Sequence, residues 1–306
     1  MTGLNQLFFF RTRTLLFMLL MFLSSPLFAQ TSSNYLRFVF MTDIHIQSEL
    51  NAKEGTLEAI KKINELGPDF VLTGGDNIMD ALRQNYERSD SLFTILKSTM
   101  SAVEYPLYYT IGNHDVFGLS VKSGVDISHK EFGKALYERR ISKRYYSFDV
   151  KNWHFISLDA IGMNLKTRKY YGYIDDEQME WLKQDLIKTG TKTPIAVITH
   201  IPLRTIYSQV YDSPVKATDS AEVIVNANKV LEVFNEYNLK LVMQGHMHFI
   251  EDINYKNVRY VTGGAVSANW WQGPLDGMEE GFMFFDIDGE DISWKYVDFG
   301  WNAKKD

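Results

Sequence analysis

Five apolar segments of this chain end, at the same relative place, in residues that can bind a metal ion. The segments cover residues 36–42, 70–75, 107–112, 194–199 and 240–245. They lead into Asp43 and His45; into Asp76; into Asn113, His114 and Asp115; into His200; and into His246 and His248. Short β-rich apolar segments are typical of buried strands, and ligand sites in layered α/β folds gather beyond the carboxyl ends of strands. The pattern therefore predicts one metal site, to which five of the seven histidines contribute.

Helical and strand patterns alternate in the first half of the chain. Amphipathic spacing predicts helices at residues 56–66, 85–103, 131–140, 175–188 and 221–237. Segments 145–150 and 153–158 are separated by Lys151 and Asn152, which indicates a hairpin. Segments 258–262, 282–287 and 292–297 are strand-like without helices between them. This mixture predicts an α/β fold of two packed, mixed sheets with helices outside.

The N-terminal residues have the features of a secretory signal peptide. Arg11 and Arg13 precede an apolar stretch at residues 15–23, and the small residue Ala29 stands at the expected cleavage point. A membrane anchor is the competing interpretation, but a spanning helix needs about 20 apolar residues, and this stretch is shorter. We therefore expect residues 1–29 to be cleaved, which leaves residues 30–306 as a single domain. The protein would be exported to a periplasm or secreted, with no membrane span after cleavage.

Composition narrows the classes of partner. The chain has no cysteine, so the fold cannot use disulfides. Its net charge is −6, and cleavage of the signal peptide would lower the count of Lys and Arg from 32 to 30 against 38 acidic residues, giving −8. This negative net charge argues against broad nucleic-acid binding, and bound cations would have to attract an anionic substrate.

The strand-end residues differ in what they offer a metal ion. Asp43 and His45 can turn towards one ion, and the two oxygens of Asp76 suit a bridge between two cations. Asn113 offers a neutral carbonyl oxygen, which leaves His114 free to face a substrate. The two other histidines, His129 and His154, lie in a polar stretch and in the hairpin. We interpret both as structural.

The ordered series Asp-x-His, Gly-Asp, Gly-Asn-His-Asp, His and Gly-His-x-His resembles the calcineurin-like metallophosphoesterase superfamily over residues 35–262. The resemblance implies a four-layer αββα sandwich of two mixed β-sheets and a two-metal site. It implies that one metal is held by Asp43, His45 and His248, the other by Asn113, His200 and His246, with Asp76 bridging. It also implies that His114 protonates the leaving group and that Asp115 orients His114.

The chemistry that follows from the resemblance is hydrolysis of a phosphoric ester by a metal-bridging hydroxide. The mixed nitrogen and oxygen donors suit two ions from the group Mn, Fe, Zn, Co or Ni. Met79 stands where purple acid phosphatases have a tyrosine, which disfavours that branch. The Asp-x-His form is similar to the phosphodiesterase branches, including those that act on cyclic nucleotides, so phosphodiesters are the preferred substrates. The alternatives are phosphomonoesterase, pyrophosphatase or sphingomyelinase-like lipid hydrolase activity and, in another class, a non-catalytic metal-bound binding protein.

Substrate selection falls to three loops, at residues 116–130, 203–220 and 264–281. Trp270 and Trp271 are candidates to stack on a flat group, or alternatively pack the last strands onto the sandwich. Arg204 and Tyr207 follow His200, and Asn77 follows Asp76, as further candidate contacts. The expected partner is a small-molecule or lipid phosphoester.

Overall fold

The computed structural model describes residues 35–303, so the predicted signal peptide at residues 1–29 lies outside the described residues. The strands are β1 (Tyr35–Met41), β2 (Phe70–Thr73), β3 (Leu107–Tyr108), β4 (Tyr146–Val150), β5 (Trp153–Ser157), β6 (Ile161–Asn164), β7 (Lys169–Gly172), β8 (Ile195–Thr199), β9 (Leu239–Gln244), β10 (Glu251–Tyr255), β11 (Val258–Thr262), β12 (Gly281–Asp288) and β13 (Asp291–Asp298). The helices are α1 (Ala52–Leu66), α2 (Tyr86–Met100), α3 (Ala135–Arg140), α4 (Asp176–Thr189), α5 (Tyr207–Tyr211) and α6 (Ala227–Glu232). None of these helices is long and apolar enough to cross a membrane.

The strands form two large mixed sheets and one small hairpin. The first sheet has the order β13-β12-β1-β2-β3, and the second has the order β10-β11-β9-β8-β5-β4. Strands β1, β2 and β3 are parallel, as are β5, β8, β9 and β11, whereas β12, β13, β4 and β10 join them in antiparallel pairs. Because parallel neighbours end at the same edge, this topology places the predicted strand-end motifs together.

Two apolar layers hold the sandwich together. Phe38 of β1 stacks on Phe70 and Phe285 in its own sheet, at ring distances of 5.0 and 4.9 Å, and meets Phe155 of the other sheet at 5.6 Å. The alternate strand positions face outward, as the two-residue period of a strand requires. They pack against helices, as with Val39 and residues of α1 in one buried cluster. The prediction of two packed mixed sheets with helices outside is confirmed.

Several predicted elements have different bounds. Helix α1 begins four residues earlier than expected, because Gly55, a weak helix former, is held in it by packing. The predicted helix at residues 221–237 is reduced to α6, which begins only after Asn226, whose side chain hydrogen-bonds the backbone N–H and C=O of Ile174. The hairpin of β4 and β5 is confirmed, while the hairpin of β6 and β7 was not predicted.

We expect the ion pairs of His154 to make a pH-dependent contribution to the stability of the fold. Its Nδ1 lies 2.7 Å from Asp149 Oδ1 and its Nε2 lies 2.9 Å from Asp185 Oδ2, so both ring nitrogens donate only in the cationic form. Burial lowers the pKa of His154, but the two carboxylates outweigh it and raise the pKa above the ordinary 6.5. A raised folded-state pKa stabilises the fold below the unfolded-state value, and this stabilisation is lost as pH rises through the folded-state value.

We therefore expect His154→Gln to lower the free energy of unfolding by about 1–2 kcal/mol at about pH 5.5, and by less at about pH 9. Urea denaturation at the two pH values measures the difference. In a protein that also carries Asp149→Asn and Asp185→Asn, the pH dependence of the His154→Gln effect should disappear. An effect of equal size at both pH values in the otherwise unchanged protein would contradict the ion-pair assignment.

Candidate metal centre and active site

Backbone hydrogen bonds align the loops that carry the candidate ligands. In the loops after β1 and β2, Asp43 N donates to Gly75 O and His45 N donates to Asp76 O, both at 3.0 Å. In the second sheet, Gly245 N donates to His200 O at 3.0 Å and so joins the loops after β8 and β9. The parallel strand order thus continues into the loops and places candidate ligands from both sheets at one edge of the sandwich.

The candidate ligands form two groups with Asp76 between them. Within each group the ligand atoms lie no more than 4.8 Å apart; the groups are Asp43 with His45 and His248, and Asp76 with His200 and His246. Asp76 Oδ2 is 3.1 Å from His200 Nε2 and 3.8 Å from His45 Nε2, so it reaches towards both groups. Asn113 Oδ1 lies 3.1 Å from His200 Nε2 and joins the second group.

In two of the imidazoles, a hydrogen bond from Nδ1 to a backbone carbonyl leaves the lone pair of Nε2 facing the cluster. His248 Nδ1 lies 2.7 Å from Ala268 O, and His200 Nδ1 lies 2.9 Å from Gly74 O. A carbonyl oxygen only accepts, so each Nδ1 carries the proton and donates it. In the neutral ring each Nε2 is then a free ligand atom, which is the arrangement that orients metal-binding histidines.

The donor set fits bound metal ions. Asp43 Oδ1 is buried and has no hydrogen-bond partner, and it faces His248 Nε2 at 3.3 Å. The Nε2 atoms of His45 and His248 approach to 3.1 Å. Carboxylate oxygens and imidazole lone pairs that converge in a buried place need a cation between them. The combination of imidazole, carboxylate and amide donors suits transition-metal ions better than Mg²⁺ or Ca²⁺.

Five candidate ligands adopt backbone conformations that side chains normally avoid. Their φ angles are 56° at Asp43, 46° at His45, 49° at Asp76, 73° at His246 and 48° at His248. Left-handed non-glycine residues cost on the order of 1–3 kcal/mol each and cluster at functional sites. The surrounding loops therefore hold these side chains in place against a local backbone preference.

Two motif glycines allow the loops to approach. A Cβ at Gly112 would lie 2.1 Å from Asp76 N, and a Cβ at Gly245 would lie 2.0 Å from Thr42 Oγ1 and 2.8 Å from Asp43 Oδ2. No larger residue fits at these contact distances. The glycines in Gly-Asn-His-Asp and Gly-His-x-His are therefore requirements of packing around Asp43 and Asp76.

The two carboxylates of the cluster remain ionised. Burial raises the pKa of Asp43, but His248 and His200 outweigh it and hold that pKa below its usual range. Burial also raises the pKa of Asp76, but the imidazoles of His200 and His114 outweigh this effect and lower the pKa. Burial and His200 lower the pKa of His246 to about 4, so this imidazole is neutral at physiological pH. Burial lowers the pKa of His200 and of His248, but Asp76 and Asp43 outweigh it, raising the pKa of His200 to about 9 and that of His248 above its ordinary value. Metal ions bind ionised carboxylates and neutral imidazoles, so a metal ion that binds here displaces a proton from these two rings.

His114 faces the cluster, but Asp115 does not orient it. His114 Nδ1 lies 2.7 Å from Met79 O, and its Nε2 lies 3.9 Å from Asp76 Oδ2. The Asp115 carboxylate instead accepts hydrogen bonds from backbone N–H groups of Asn77, Ile78 and Gly112. The prediction of an orienting contact from Asp115 is wrong, because the 3-10 turn Asn113–Asp115 directs its carboxylate to the neighbouring loop backbone. Met79 O is the orienting group.

Two residues that were predicted to contact substrate are buried in the protein, Asn77 and Trp271. Asn77 is fully buried, and its Nδ2 donates to Thr110 O and to Asp115 Oδ2. Trp271 is 1% exposed, and its indole N–H donates to Ile44 O at 2.9 Å. Neither side chain can reach a substrate. For Trp271, the alternative that the tryptophan packs the fold is the one observed.

Gly55 of α1 provides a test of the packing around Trp271. A Cβ at this position would lie 2.2 Å from Cζ3 of the Trp271 ring. Alanine normally stabilises a helix relative to glycine by about 1 kcal/mol. Overpacking in a core costs about 1–3 kcal/mol, so we expect Gly55→Ala to lower the free energy of unfolding. Urea denaturation measures this free energy, and Glu58→Ala on the exposed side of α1 is the control. A more stable Gly55→Ala protein would contradict the observed packing.

The three remaining residues that were predicted to contact substrate lie in two different places. The Arg204 guanidinium donates to Leu203 O and Asn228 Oδ1, and it lines a groove of about 590 Å³ beside α6 rather than the pocket at the cluster. These two acceptors turn the side chain away from that pocket, so contact of Arg204 with a substrate stays a prediction. Tyr207 and Trp270 line a pocket that reaches His246 and His248.

Two residues beside the cluster were missed in the sequence. The Tyr170 ring lies 6.1 Å from the His246 ring and edge-on to it, and Asp80 Oδ1 lies 3.7 Å from His114 Nδ1. Asp80 stands four residues after Asp76, so its place in the same loop was a usable signal. Tyr170 belongs to the unpredicted hairpin of β6 and β7, for which the sequence has no strand-end motif.

Comparison with known proteins agrees with this geometry. The family model for calcineurin-like phosphoesterase matches residues 36–249. A probable cyclic nucleotide phosphodiesterase from Xenorhabdus bovienii is 23% identical over 83% of this chain and 95% of its own length. A probable glycerophosphodiester phosphodiesterase from Arcobacter nitrofigilis is 20% identical over 75% of this chain and 78% of its own length.

A solved structure shares the fold. The dimetal phosphatase from Danio rerio superposes with a TM-score of 0.60 at 16% identity, over 85% of this chain and 95% of its own chain. The family model covers more than half of the chain, and the structure brings together two candidate metal-ligand groups. This chain belongs to the calcineurin-like phosphoesterase family, whose members are metal-dependent phosphoester hydrolases.

Proposed function

We propose that this chain hydrolyses phosphodiesters at a site that holds two transition-metal ions. The observation that carries the proposal is the convergence of candidate ligands from five strand ends into two groups, with Asp76 of the second group also facing His45 of the first. Asp43, His45 and His248 would hold one ion, Asn113, His200 and His246 the other, and Asp76 would contribute to both. The names of the two curated relatives, both phosphodiesterases, support the preference for diesters.

The metal ions and the residues around them would have different roles in the reaction. Bound metal ions supply Lewis-acid activation of phosphoryl oxygens and of the water nucleophile. The carbonyl oxygens of Gly74 and Ala268 keep the ligand nitrogens of His200 and His248 aimed at the cluster. The Trp270 ring, 4.7 Å from the His248 ring and 5.9 Å from the His45 ring, shields one side of the cluster from water.

His114 is the proposed acid for the leaving group. With Nδ1 donating to Met79 O, the protonated ring carries its second proton on Nε2, which is the atom nearest Asp76. An N–H in that position can deliver a proton to an alcohol oxygen that leaves phosphorus near the cluster.

The direct test compares two chromogenic substrates on protein loaded with Mn, Zn or Fe. We expect faster hydrolysis of bis(p-nitrophenyl) phosphate than of p-nitrophenyl phosphate, and no hydrolysis after chelation. A preference for the monoester would assign a phosphomonoesterase instead. Diphosphates and phospholipids complete the panel for the pyrophosphatase and sphingomyelinase-like alternatives. Full metal occupancy without turnover of any of them would favour a non-catalytic binding protein.

Export is a separate proposal that rests on the sequence of residues 1–29. The charged segment, the apolar stretch and the small residue Ala29 support cleavage by a signal peptidase, with residues 30–306 as one mature domain in a periplasm or outside the cell. Mass spectrometry of the protein isolated from its native host should find an N-terminus near Gln30. An intact N-terminus in that material would contradict export with cleavage.

A further inference from the structure

A small pocket of about 250 Å³ adjoins the candidate metal ligands His246 and His248. Four of its eight other lining residues are aromatic, and Met247 and Leu275 add apolar surface. We call the four rings Tyr207, Tyr211, Phe249 and Trp270 the aromatic box. They come from α5, from the residue after His248 and from the loop after β11, and therefore from three separate parts of the chain.

The rings of the aromatic box lie at contact distances. Tyr207 and Tyr211 have ring centroids 4.7 Å apart, and Phe249 lies 5.9 Å from Tyr207 and 5.2 Å from Tyr211. Trp270 borders the pocket from the side of the cluster, 4.7 Å from the His248 ring. A group that enters this pocket therefore meets aromatic rings while it stays next to the metal ligands.

Two carboxylates also line the pocket, those of Glu222 and Asp276. Burial and then these two carboxylates raise the pKa of Tyr207, which shows that both act on the same ring. Burial and Asp276 also raise the pKa of Tyr211. Among the described residues that line the pocket there is no lysine or arginine. The pocket is therefore both aromatic and electronegative.

We propose that the aromatic box binds a trialkylammonium group carried by one alcohol of the phosphodiester substrate, a specificity that rests on the proposed function. Aromatic faces attract cations through their quadrupole and are suited to quaternary ammonium groups, which have no N–H to donate. Glu222 and Asp276 add long-range attraction for the positive charge. The phosphate of the same molecule then lies at the cluster, which the pocket reaches through His246 and His248.

Other ligands fit these walls less well. A second phosphate, as in a nucleoside diphosphate, would be repelled by two carboxylates without a cation to pair with it. A neutral flat base would stack on the rings but gain nothing from Glu222 and Asp276. A primary ammonium could pair with Glu222 and Asp276, but Glu222 already accepts a hydrogen bond from Ser208 Oγ at 3.1 Å, and the ring faces offer no lone pair to the remaining N–H groups.

The test compares p-nitrophenyl phosphorylcholine with its carbon isostere, the 3,3-dimethylbutyl ester of p-nitrophenyl phosphate. The two esters have the same shape and leaving group and differ only in the positive charge. We expect metal-loaded protein to favour the choline ester by about tenfold or more in kcat/KM. The ratio should fall in Phe249→Leu and in the double variant Glu222→Gln, Asp276→Asn. Glu236→Gln, which removes an exposed charge outside the pocket, should keep the wild-type ratio.

The outcomes separate this inference from the proposed function. Equal kcat/KM for the two esters would overturn the aromatic box as a cation site while leaving phosphodiester hydrolysis intact. If neither ester is hydrolysed, the proposed function fails, and calorimetry with phosphocholine and 3,3-dimethylbutyl phosphate then tests the box alone. Tighter binding of phosphocholine supports the box, and equal or undetectable binding of both overturns it.

Discussion

Replacing Asp76 with alanine is expected to release metal from the protein and to abolish hydrolysis. Asp76 faces both candidate groups, with Oδ2 3.8 Å from His45 Nε2 and 3.1 Å from His200 Nε2. Its loss removes a negative charge and a donor from both ions at once. Loss of a residue that only supports a metal ligand typically lowers metal affinity by about 10–100-fold, and we expect a larger loss here. We expect turnover to fall by at least about 10³-fold.

Elemental analysis of the purified variant, together with hydrolysis of bis(p-nitrophenyl) phosphate, measures both effects. The Asp76 side chain also accepts a hydrogen bond from His114 N at 2.7 Å, so circular dichroism must show that the variant is folded. Asp76→Asn is the second variant, since it keeps an oxygen in place but loses the charge. Asp291→Ala, an exposed carboxylate on β13, is the control. Full metal occupancy in folded Asp76→Ala would show that Asp76 is not shared between two ions.

Replacing His114 with alanine is expected to lower turnover and leave the metal content intact. The ring is held by Met79 O and lies outside both ligand groups, so its removal deletes a proton donor but no ligand. General acids contribute about 10²–10⁴-fold to rate. The loss should be largest for esters with alkyl alcohols, which must be protonated as they leave. It should be smaller for p-nitrophenyl esters, because p-nitrophenolate is a stable anion.

The ratio of kcat between wild type and His114→Ala, measured with a methyl and with a p-nitrophenyl leaving group, distinguishes an acid from a structural residue. His129→Ala removes an imidazole that packs on Tyr86 and Phe117 away from the cluster, and serves as the control. An equal loss with both leaving groups would argue against proton donation by His114. Loss of metal together with activity would argue that His114 is a ligand.

The sequence predicted which candidate ligands would come together, because their placement follows from parallel strands. Once β1, β2, β8 and β9 are recognised as buried strands, their following residues must meet at sheet edges. The two-sheet architecture followed from the mixture of alternating elements and late strands. The resemblance to the calcineurin-like family then gave a layout that agrees with the observed grouping around Asp76.

Contacts that depend on side-chain direction could not be predicted. Trp270 and Trp271 are neighbours, yet one borders the pocket and the other is buried against Gly55. Both have positive φ, and this local backbone turn, which periodicity cannot reveal, sends the rings to different sides. Asp115 was expected to contact its neighbour His114, but a 3-10 turn directs it to backbone N–H groups instead. Adjacency in sequence was a poor guide in both cases.

The aromatic box shows a second limit. Its rings and carboxylates come from segments 207–222, 249 and 270–276, none of which carries a recognisable motif. Tyr207 was a candidate because it follows His200 in the sequence, and Trp270 because a tryptophan in the loop at residues 264–281 could stack on a flat group. Tyr211, Glu222, Phe249 and Asp276 become visible once the loops are packed, because their assembly depends on tertiary contacts between distant segments.

The measurement that tests the central claim most directly is activity as a function of bound metal. Protein stripped by a chelator is titrated with Mn²⁺ or Zn²⁺, and the metal content per chain and the hydrolysis of bis(p-nitrophenyl) phosphate are followed together. Two ligand groups, with Asp76 facing both, predict no activity without metal and full activity only when two ions are bound per chain. Full activity in the stripped protein, or a plateau at a single bound ion, would contradict the dinuclear phosphodiesterase account.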